Sequence, residues 1–253
     1  MAGIIEGKYW DKPWSLVDGC TPCSPGCEHC WSAAMTHRFN KEWLPFTNDK
    51  GQFYGKIATH PERLSIPLKQ GLRRRKPTVY AIWNDLFHEE VKEKFIAEAW
   101  DVMTRRLDHT FLVLTKRPQQ MLSWANSWKL LPFRNIYLGL TVCNQQEADE
   151  KIPIFLRVPG KKFLSIEPML SEVSLRWLKL KSGGVDEYDG LRLFDAVILG
   201  AETGPGARPM DLEWARIVRD ECAEAGVPFF LKQTDKKRNR LLDGRAHDDL
   251  PWR

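Results

Sequence analysis

An alternation of short apolar segments with amphipathic segments is the feature that most constrains how this chain of 253 residues can fold. Residues 79–83 form an apolar run, and residues 89–107 after it carry apolar side chains at helical spacing. The same pair of patterns recurs along the chain. The predicted strands are residues 15–17, 79–83, 110–114, Ile136–Val142, 162–166, 194–199 and 228–231.

The predicted helices are residues 89–107, one that begins at Pro118, residues 145–157, 171–180 and 211–225, the last closed by Gly226. Strands and helices that alternate in this way form parallel sheets. We therefore predict the α/β class, as a single domain over residues 1–253 that forms a partial (βα) barrel of about six to seven units. A doubly wound open sheet is the alternative, because periodicity does not distinguish the two. Residues 40–75 are long and weakly patterned, which predicts a lid or substrate loop.

Composition restricts the class of protein. An apolar content of 43% supports a folded core, and the formal net charge of +5 is compatible with a nucleic acid partner. The sequence has no apolar run near the roughly 18 residues of a membrane helix and no secretory signal at its start. We expect a cytoplasmic protein with no membrane segment.

The loop at residues 19–31, GCTPCSPGCEHCW, holds four of the six cysteines: Cys20, Cys23, Cys27 and Cys30. In a reducing compartment, clustered cysteines are more often metal ligands or redox thiols than disulfides. All four could form a closed zinc site, although zinc modules usually separate their two cysteine pairs by more than three residues. The spacing from Cys23 to Cys27 to Cys30 is instead the one by which radical S-adenosylmethionine (SAM) enzymes hold three irons of a [4Fe–4S] cluster.

Polar residues follow nearly every predicted strand, where parallel α/β folds gather their functional groups. If the cluster hypothesis holds, we assign cofactor contacts to these positions and to His29, whose ring would face adenine. The predicted cofactor contacts are His29, Asp85, Thr115, Lys116, Thr141 and Glu167, and the predicted catalytic residues on the substrate side are Glu202, Lys232 and Gln233. The purely structural alternative for Glu167 is an ion pair with Lys116 or Arg117.

The cysteine loop also resembles that of the phage- and prophage-associated three-cysteine-motif family of radical-SAM-like proteins. The resemblance continues through NDLFH, LTKRP, FLSIEP, GAETGPGARPM and PFFLKQ, which begin at residues 84, 114, 163, 200 and 228. It therefore covers nearly the whole chain. It implies Cys20, Cys27 and Cys30 as the metal ligands, since the position of Cys23 is usually apolar in that family. Two triads that share Cys27 and Cys30 stay open, and the resemblance favours the one with Cys20.

Together these features predict a radical SAM enzyme of the partial-barrel type. It would use a [4Fe–4S] cluster and S-adenosyl-L-methionine to generate a 5′-deoxyadenosyl radical, with a flavodoxin- or ferredoxin-like one-electron donor. The phage association of the similar family and the basic charge favour a nucleotide or nucleic acid as the substrate. The alternative is a zinc-stabilised nucleic-acid-binding protein without catalysis. A second alternative is a hydrolase in which Asp85, Glu167 and Glu202 hold a divalent metal.

Overall fold

The structure is a computed structural model that describes residues 7–39, 46–69, 77–82, 84–176, 178–179, 187–188 and 190–253. The helices in these residues are α1 (Trp31–Arg38), α2 (Glu93–Arg105), α3 (Pro118–Ser127), α4 (Gln145–Leu156) and α5 (Leu212–Ala225). The strands are β1 (Lys12–Pro13), β2 (Val17–Gly19), β3 (Ile57–Thr59), β4 (Val79–Ile82), β5 (Thr110–Thr115), β6 (Ile136–Val142), β7 (Lys161–Ile166), β8 (Leu178–Lys179), β9 (Glu187–Tyr188), β10 (Ala196–Gly200) and β11 (Phe229–Gln233).

Seven strands form one sheet in the order β1-β4-β5-β6-β7-β10-β11. The pairings of β1 with β4, β4 with β5, β7 with β10 and β10 with β11 are all parallel. Because β1 and β11 stand at the two ends of this order, the sheet is open. These features confirm the predicted α/β class with a partial (βα) barrel. Strands β4, β6 and β10 are buried at every position, which explains why they read as continuous apolar runs.

The chain divides into two compact units. We call Trp10–Gly139 with Val158–Lys161 the cysteine unit, and Met1–Tyr9, Leu140–Arg157 and Lys162–Arg253 the glutamate unit. The prediction of a single domain over residues 1–253 stays a prediction. None of the helices in the described ranges has the length and apolar character needed to cross a membrane.

The core of the cysteine unit is aromatic. Trp14 is fully buried, and its indole N–H donates to the carbonyl oxygen of Arg63 at 2.8 Å. The rings of Tyr80 and Phe111, on the neighbouring strands β4 and β5, stack at a centroid distance of 5.6 Å. These contacts fix β4 and β5, whose carboxyl ends carry Asp85 and Thr115 of the site described below.

In the glutamate unit, α5 begins and ends as its sequence predicts. Asp211 is the N-cap and its carboxylate accepts from the backbone N–H of Glu213, while Gly226 ends the helix with a φ of 69°. That left-handed conformation favours glycine. The helix buries Ala215, Val218 and Cys222 on one face.

Two predicted elements are wrong. The first strand of the large sheet is β1 at residues 12–13, whereas the segment predicted at 15–17 leads into β2, which pairs antiparallel with β3. The helix predicted at 171–180 is absent from the described part of that segment. There the backbone N–H groups of Ser174 and Leu175 donate to Gln145 and Glu221 at 2.7 and 2.9 Å. These side chains take the donors that a helix would have paired along the backbone.

Within the predicted lid, residues 46–69 contain β3 and short 3₁₀ turns, and residues 40–45 and 70–75 lie outside the described residues. A role for this segment as a lid stays a prediction. Trp83, at the end of the predicted strand 79–83, also lies outside them.

Candidate metal centre

Backbone geometry at three points fixes the cysteine loop. Gly19, immediately before Cys20, has a φ of +83°, and a Cβ on it would lie 2.0 Å from the carbonyl oxygen of Lys56, so β2 and β3 approach too closely for any other residue. A 3₁₀ turn at Pro25–Cys27 follows, capped by Ser24, whose hydroxyl accepts from the N–H of Gly26 at 3.2 Å. Cys30 then occupies the N-cap of α1.

Asn84, directly after β4, ties the two ends of this loop together. Its amide donates to the carbonyl oxygen of Val17 at 2.7 Å, and its amide oxygen accepts from the hydroxyl of Ser32 at 2.9 Å. One strand-end side chain therefore holds both the strand that enters the loop and the helix that leaves it.

All four loop thiols are free, with no disulfide among them. Cys20, Cys27 and Cys30 are half-buried and Cys23 is exposed. Cys20 and Cys30 pack against one apolar cluster, formed by Ala33, Phe46 and Phe53. These contacts hold the first and last thiols of the loop on a common support.

Cys27 is the electrostatic centre of the group. The thiol of Cys23 donates to its sulfur, and this hydrogen bond lowers the pKa of Cys27 and raises that of Cys23. The positive charge of Lys116 acts in the same direction on Cys27. Burial raises the pKa of Cys30, and the charge of Lys116 opposes that shift. Of the four thiols, Cys27 is therefore the one whose surroundings, hydrogen-bond donors and a nearby cation, favour a thiolate.

Arg117 links the loop to the ends of β4 and β5. Its Nη1 lies 2.9 Å from Oδ2 of Asp85 and 3.8 Å from Sγ of Cys20, and its Nη2 donates to the carbonyl oxygen of Thr21 at 2.8 Å. Its Nε faces both carboxylate oxygens of Glu89 at 2.9 and 2.8 Å. Arg117 is not among the predicted cofactor contacts, although its position after a predicted strand was a signal for the site.

Asp85 is the anionic counterpart in this network. It accepts from the hydroxyl of Thr115 at 2.6 Å and from the backbone N–H of Lys116 at 3.2 Å. Burial alone would lower the pKa of Arg117, but the charges of Asp85 and of the thiols raise it. Burial raises the pKa of Cys20 to about 11, and Arg117 opposes that shift. The structure thus brings the predicted residues Asp85, Thr115 and Lys116 together beside the loop, and His29 lies half-buried within it.

An open groove of about 890 Å³ borders Thr21 on the cysteine unit. Its wall includes His88, whose Nε2 lies 2.8 Å from the hydroxyl of Thr21. Burial, followed by the charge of Arg117, lowers the pKa of His88. The charged lining is mixed, with Glu89, Glu90, Glu98, Lys92 and Lys94.

The glutamate unit has its own strand-end cluster, at the carboxyl ends of β7 and β11. The carboxylate of Glu167 accepts from Nζ of Lys232 and, at 3.2 Å, from the amide of Gln233. The same amide donates to the carbonyl oxygen of Ala201 at 2.6 Å. Within its own unit the ion-pair partner of Glu167 is Lys232. The alternative of an ion pair with Lys116 or Arg117, which belong to the cysteine unit, stays a prediction. Burial, followed by the charge of Glu167, raises the pKa of Tyr9.

The other two predicted residues of this unit are also placed. Glu202 is buried and accepts from the backbone N–H and Nε of Arg208 at 2.8 and 2.9 Å. Thr141 is buried on β6. The structure brings together Glu167, Lys232 and Gln233, and it pairs Glu202 with an arginine that sequence reasoning did not assign.

The loop thiols and the strand-end carboxylates suit different kinds of metal centre. Four uncrosslinked thiols with N–H donors and cations beside them suit an iron–sulfur cluster. Asp85, Glu167 and Glu202 are each paired with an arginine or lysine, so they do not suit the divalent metal of a hydrolase. Within the described ranges, no three His, Cys, Asp or Glu side chains already converge on one point for a metal ion.

The fold and the site define an α/β protein with an open parallel sheet. Its cysteine loop lies in the chain between β1 and β4, which are neighbours in that sheet. The chain belongs to the family described as "Protein of unknown function (DUF5131)", whose family model matches residues 5–251. No curated protein matches the chain. Among solved structures, that of a cysteine-to-serine mutant of spore photoproduct lyase is similar, with a TM-score of 0.46 and 9% sequence identity over 87% of this chain and 75% of that one. No residue role is carried over from this distant likeness.

Proposed function

We propose that this protein is a radical SAM enzyme whose [4Fe–4S] cluster is bound by Cys20, Cys27 and Cys30. The observation that carries the proposal is the arrangement of the loop thiols. Cys20 and Cys30 share one apolar support, Cys27 interacts electrostatically with both, and Arg117 donates to Cys20. When bound, the cluster would supply one electron to the sulfonium of SAM, whose S–C5′ bond would break to give methionine and the 5′-deoxyadenosyl radical.

The residues beside the loop would bind the SAM molecule. The charge of Lys116 helps to lower the pKa of Cys27 and opposes the rise that burial causes in the pKa of Cys30. Its ammonium group is our proposed partner for the methionine carboxylate. Asp85 and Thr115 are held by hydrogen bonds and would bind the amino or ribose groups, and His29 would face adenine. Thr141 and Glu167 belong to the glutamate unit and stay predicted cofactor contacts.

Glu202, Lys232 and Gln233 are proposed on the substrate side. Lys232 and Gln233 donate to Glu167, and the second hydrogen bond of Gln233, to Ala201, fixes its amide. A substrate that enters this cluster would have to offer acceptors to Lys232 or donors to Glu167. Nucleotides have both kinds of group.

We propose single-stranded nucleic acid as the substrate class, in keeping with the phage-associated family that the sequence resembles. Trp31, Met35 and Phe39 lie at i, i+4 and i+8 from the start of α1 and are 41%, 46% and 72% exposed. The last turn of this helix carries His37 and Arg38, and α1 has no acidic residue. Exposed aromatic rings beside a cation such as Arg38 form a stacking surface for unpaired bases. The groove beside Thr21, which carries three glutamates, is less suited to a polyanion.

The first experiment is iron, sulfide and zinc analysis after anaerobic isolation, followed by reduction with dithionite in the presence of SAM. We expect about four irons and four sulfides per chain, a brown colour, and formation of 5′-deoxyadenosine. A colourless protein with stoichiometric zinc would overturn the proposal in favour of the zinc-stabilised binding protein. The physiological electron donor is proposed to be flavodoxin- or ferredoxin-like, and such a protein should replace dithionite.

The substrate class is tested by fluorescence anisotropy with a labelled single-stranded oligonucleotide. Trp31→Ala and Phe39→Ala should each weaken binding by roughly tenfold, since stacking of one base contributes about 1–3 kcal/mol. Trp128→Ala is the matched control, because Trp128 is 48% exposed but lies at the end of α3. Equal weakening by all three variants, or no binding by the wild type, would overturn the proposed substrate class.

A further inference from the structure

We propose that Arg117 is a positioning residue that selects Cys20, in place of Cys23, as the third cluster ligand and raises the reduction potential of the bound cluster. This inference rests on the proposed function, and it decides between the two cysteine triads that the spacing leaves open.

The first argument is the orientation of the guanidinium group. The Arg117 side chain is only 6% exposed, and Asp85, its ion-pair partner after β4, is 7% exposed. Two carboxylates hold the fork: Asp85 binds Nη1 and Glu89 binds Nε. Because a guanidinium group is planar, binding it at two positions also fixes the direction of its remaining N–H groups. Those groups point at Sγ of Cys20 and at the carbonyl oxygen of Thr21.

The second argument is the difference between the two candidate ligands. The main chain around Cys20 is tied down on both sides, since its carbonyl oxygen accepts from the N–H of Gly55 at 3.0 Å and that of Thr21 accepts from Arg117. Its sulfur is half-buried, packs on the cluster of Ala33, Phe46 and Phe53, and accepts from Arg117. The thiol of Cys23 is exposed and donates to Cys27. Of the two candidates, Cys20 is therefore the one held in place before a cluster binds.

The third argument concerns charge. A thiolate-bound cluster becomes more negative when it is reduced, and hydrogen bonds to its sulfur ligands stabilise the reduced form. The guanidinium of Arg117 supplies such a charge-assisted hydrogen bond to Cys20. Its removal should lower the midpoint potential. A residue that only braced Asp85 and Glu89 would leave the potential unchanged.

The test compares Arg117→Gln with Arg117→Lys after anaerobic reconstitution with iron and sulfide. Arg117→Gln should lower the midpoint potential, and Arg117→Lys, which keeps the charge but not the fork, should recover part of it. Because Arg117→Gln leaves the buried Asp85 without this cation, the double variant Asp85→Asn/Arg117→Gln removes both charges and serves if the single variant does not fold. Arg176→Gln, in an exposed ion pair with Glu224, is the control.

Ligand selection is tested by combining these changes with Cys23→Ser. In the wild type, Cys23→Ser should leave the iron content unchanged, whereas Cys20→Ser should abolish it. In the Arg117→Gln background the loop loses the hydrogen bonds from Arg117 to Cys20 and Thr21, so that Cys23 becomes able to replace Cys20. In this background Cys23→Ser should cause a loss of iron. A change in one background only is the signature of coupling between the two sites.

A further measurement does not depend on a bound iron–sulfur cluster. Amide hydrogen exchange in residues 20–24 should be faster in Arg117→Gln than in the wild type and unchanged in Arg176→Gln. If the wild type binds iron and forms 5′-deoxyadenosine but Arg117→Gln alters neither the potential nor the dependence on Cys23, the role of Arg117 is overturned and the proposed function stands. If the wild type binds no iron, the proposed function itself fails.

Discussion

The loop thiols with Arg117 and the carboxylate cluster around Glu167 differ in how their polar groups are balanced. Around Glu167, one carboxylate accepts from Lys232 and Gln233, and Gln233 uses its amide again on Ala201. The loop instead gathers four thiols beside N–H donors, Lys116 and Arg117. The first arrangement is complete with protein groups alone, whereas the second has sulfur donors in excess. This contrast is the one expected if the loop holds the proposed iron–sulfur cluster and the Glu167 cluster does not.

The largest expected effect that tests this contrast comes from Cys27→Ser. Because Cys27 is a proposed cluster ligand in both cysteine triads, its loss should abolish iron binding and 5′-deoxyadenosine formation together. Iron analysis and chromatography of the nucleoside measure the two outcomes. Cys222→Ala, in the buried face of α5, is the control that should keep its iron. Retention of colour and turnover in Cys27→Ser would contradict the proposed centre.

Lys232→Met tests the same contrast in the Glu167 cluster. It should leave the iron content unchanged but reduce turnover by roughly 10- to 100-fold, because a hydrogen bond to a charged group contributes about 1.5–3 kcal/mol. The measurement is the rate of 5′-deoxyadenosine formation per bound cluster. Lys151→Met, which removes the partner of Glu147 on α4, is the matched control. A loss of iron in Lys232→Met would show that the two regions are not independent.

The two regions should also differ in how much the loss of an ion pair lowers the free energy of unfolding. Asp85→Asn breaks a buried pair and should lower the free energy of unfolding by roughly 3 kcal/mol. Glu167→Gln affects a pair that is more exposed and retains one hydrogen bond from Gln233, so we expect a loss of about 1 kcal/mol. Urea unfolding of both variants against the wild type gives the two values. Equal losses would mean that burial does not distinguish the two clusters.

The smallest expected effect is a pH dependence at His88, beside the loop. Because its pKa in the folded protein lies below the ordinary value, the unfolded chain binds more protons as the pH falls through about 6.5. Stability should therefore decrease from pH 7.5 to pH 5.5, and less steeply in His88→Gln. Urea midpoints at the two pH values measure the slopes. His247, whose pKa is also lowered by burial, contributes to both proteins and cancels in the comparison.

Much of the local structure follows from the sequence. Ile136–Val142 forms a strand with the predicted bounds, and Gly226 ends α5 as expected, because hydrophobic period and capping act over a few residues. The short β1 could not be predicted from a pattern, since two residues show no period. The predicted helix at 171–180 failed because side chains distant in sequence, Gln145 and Glu221, took the backbone donors.

For the site, the sequence by itself determined which residue types stand at the strand ends and that four thiols share one loop. Only the tertiary structure decided which of these side chains form ion pairs and hydrogen bonds with each other. Lys232 reaches Glu167 across 65 positions, and Arg117 reaches Cys20 across 97. The physical reason is that ion pairs and hydrogen bonds depend on distances of a few ångströms, and these are set by strand order and register rather than by spacing along the chain.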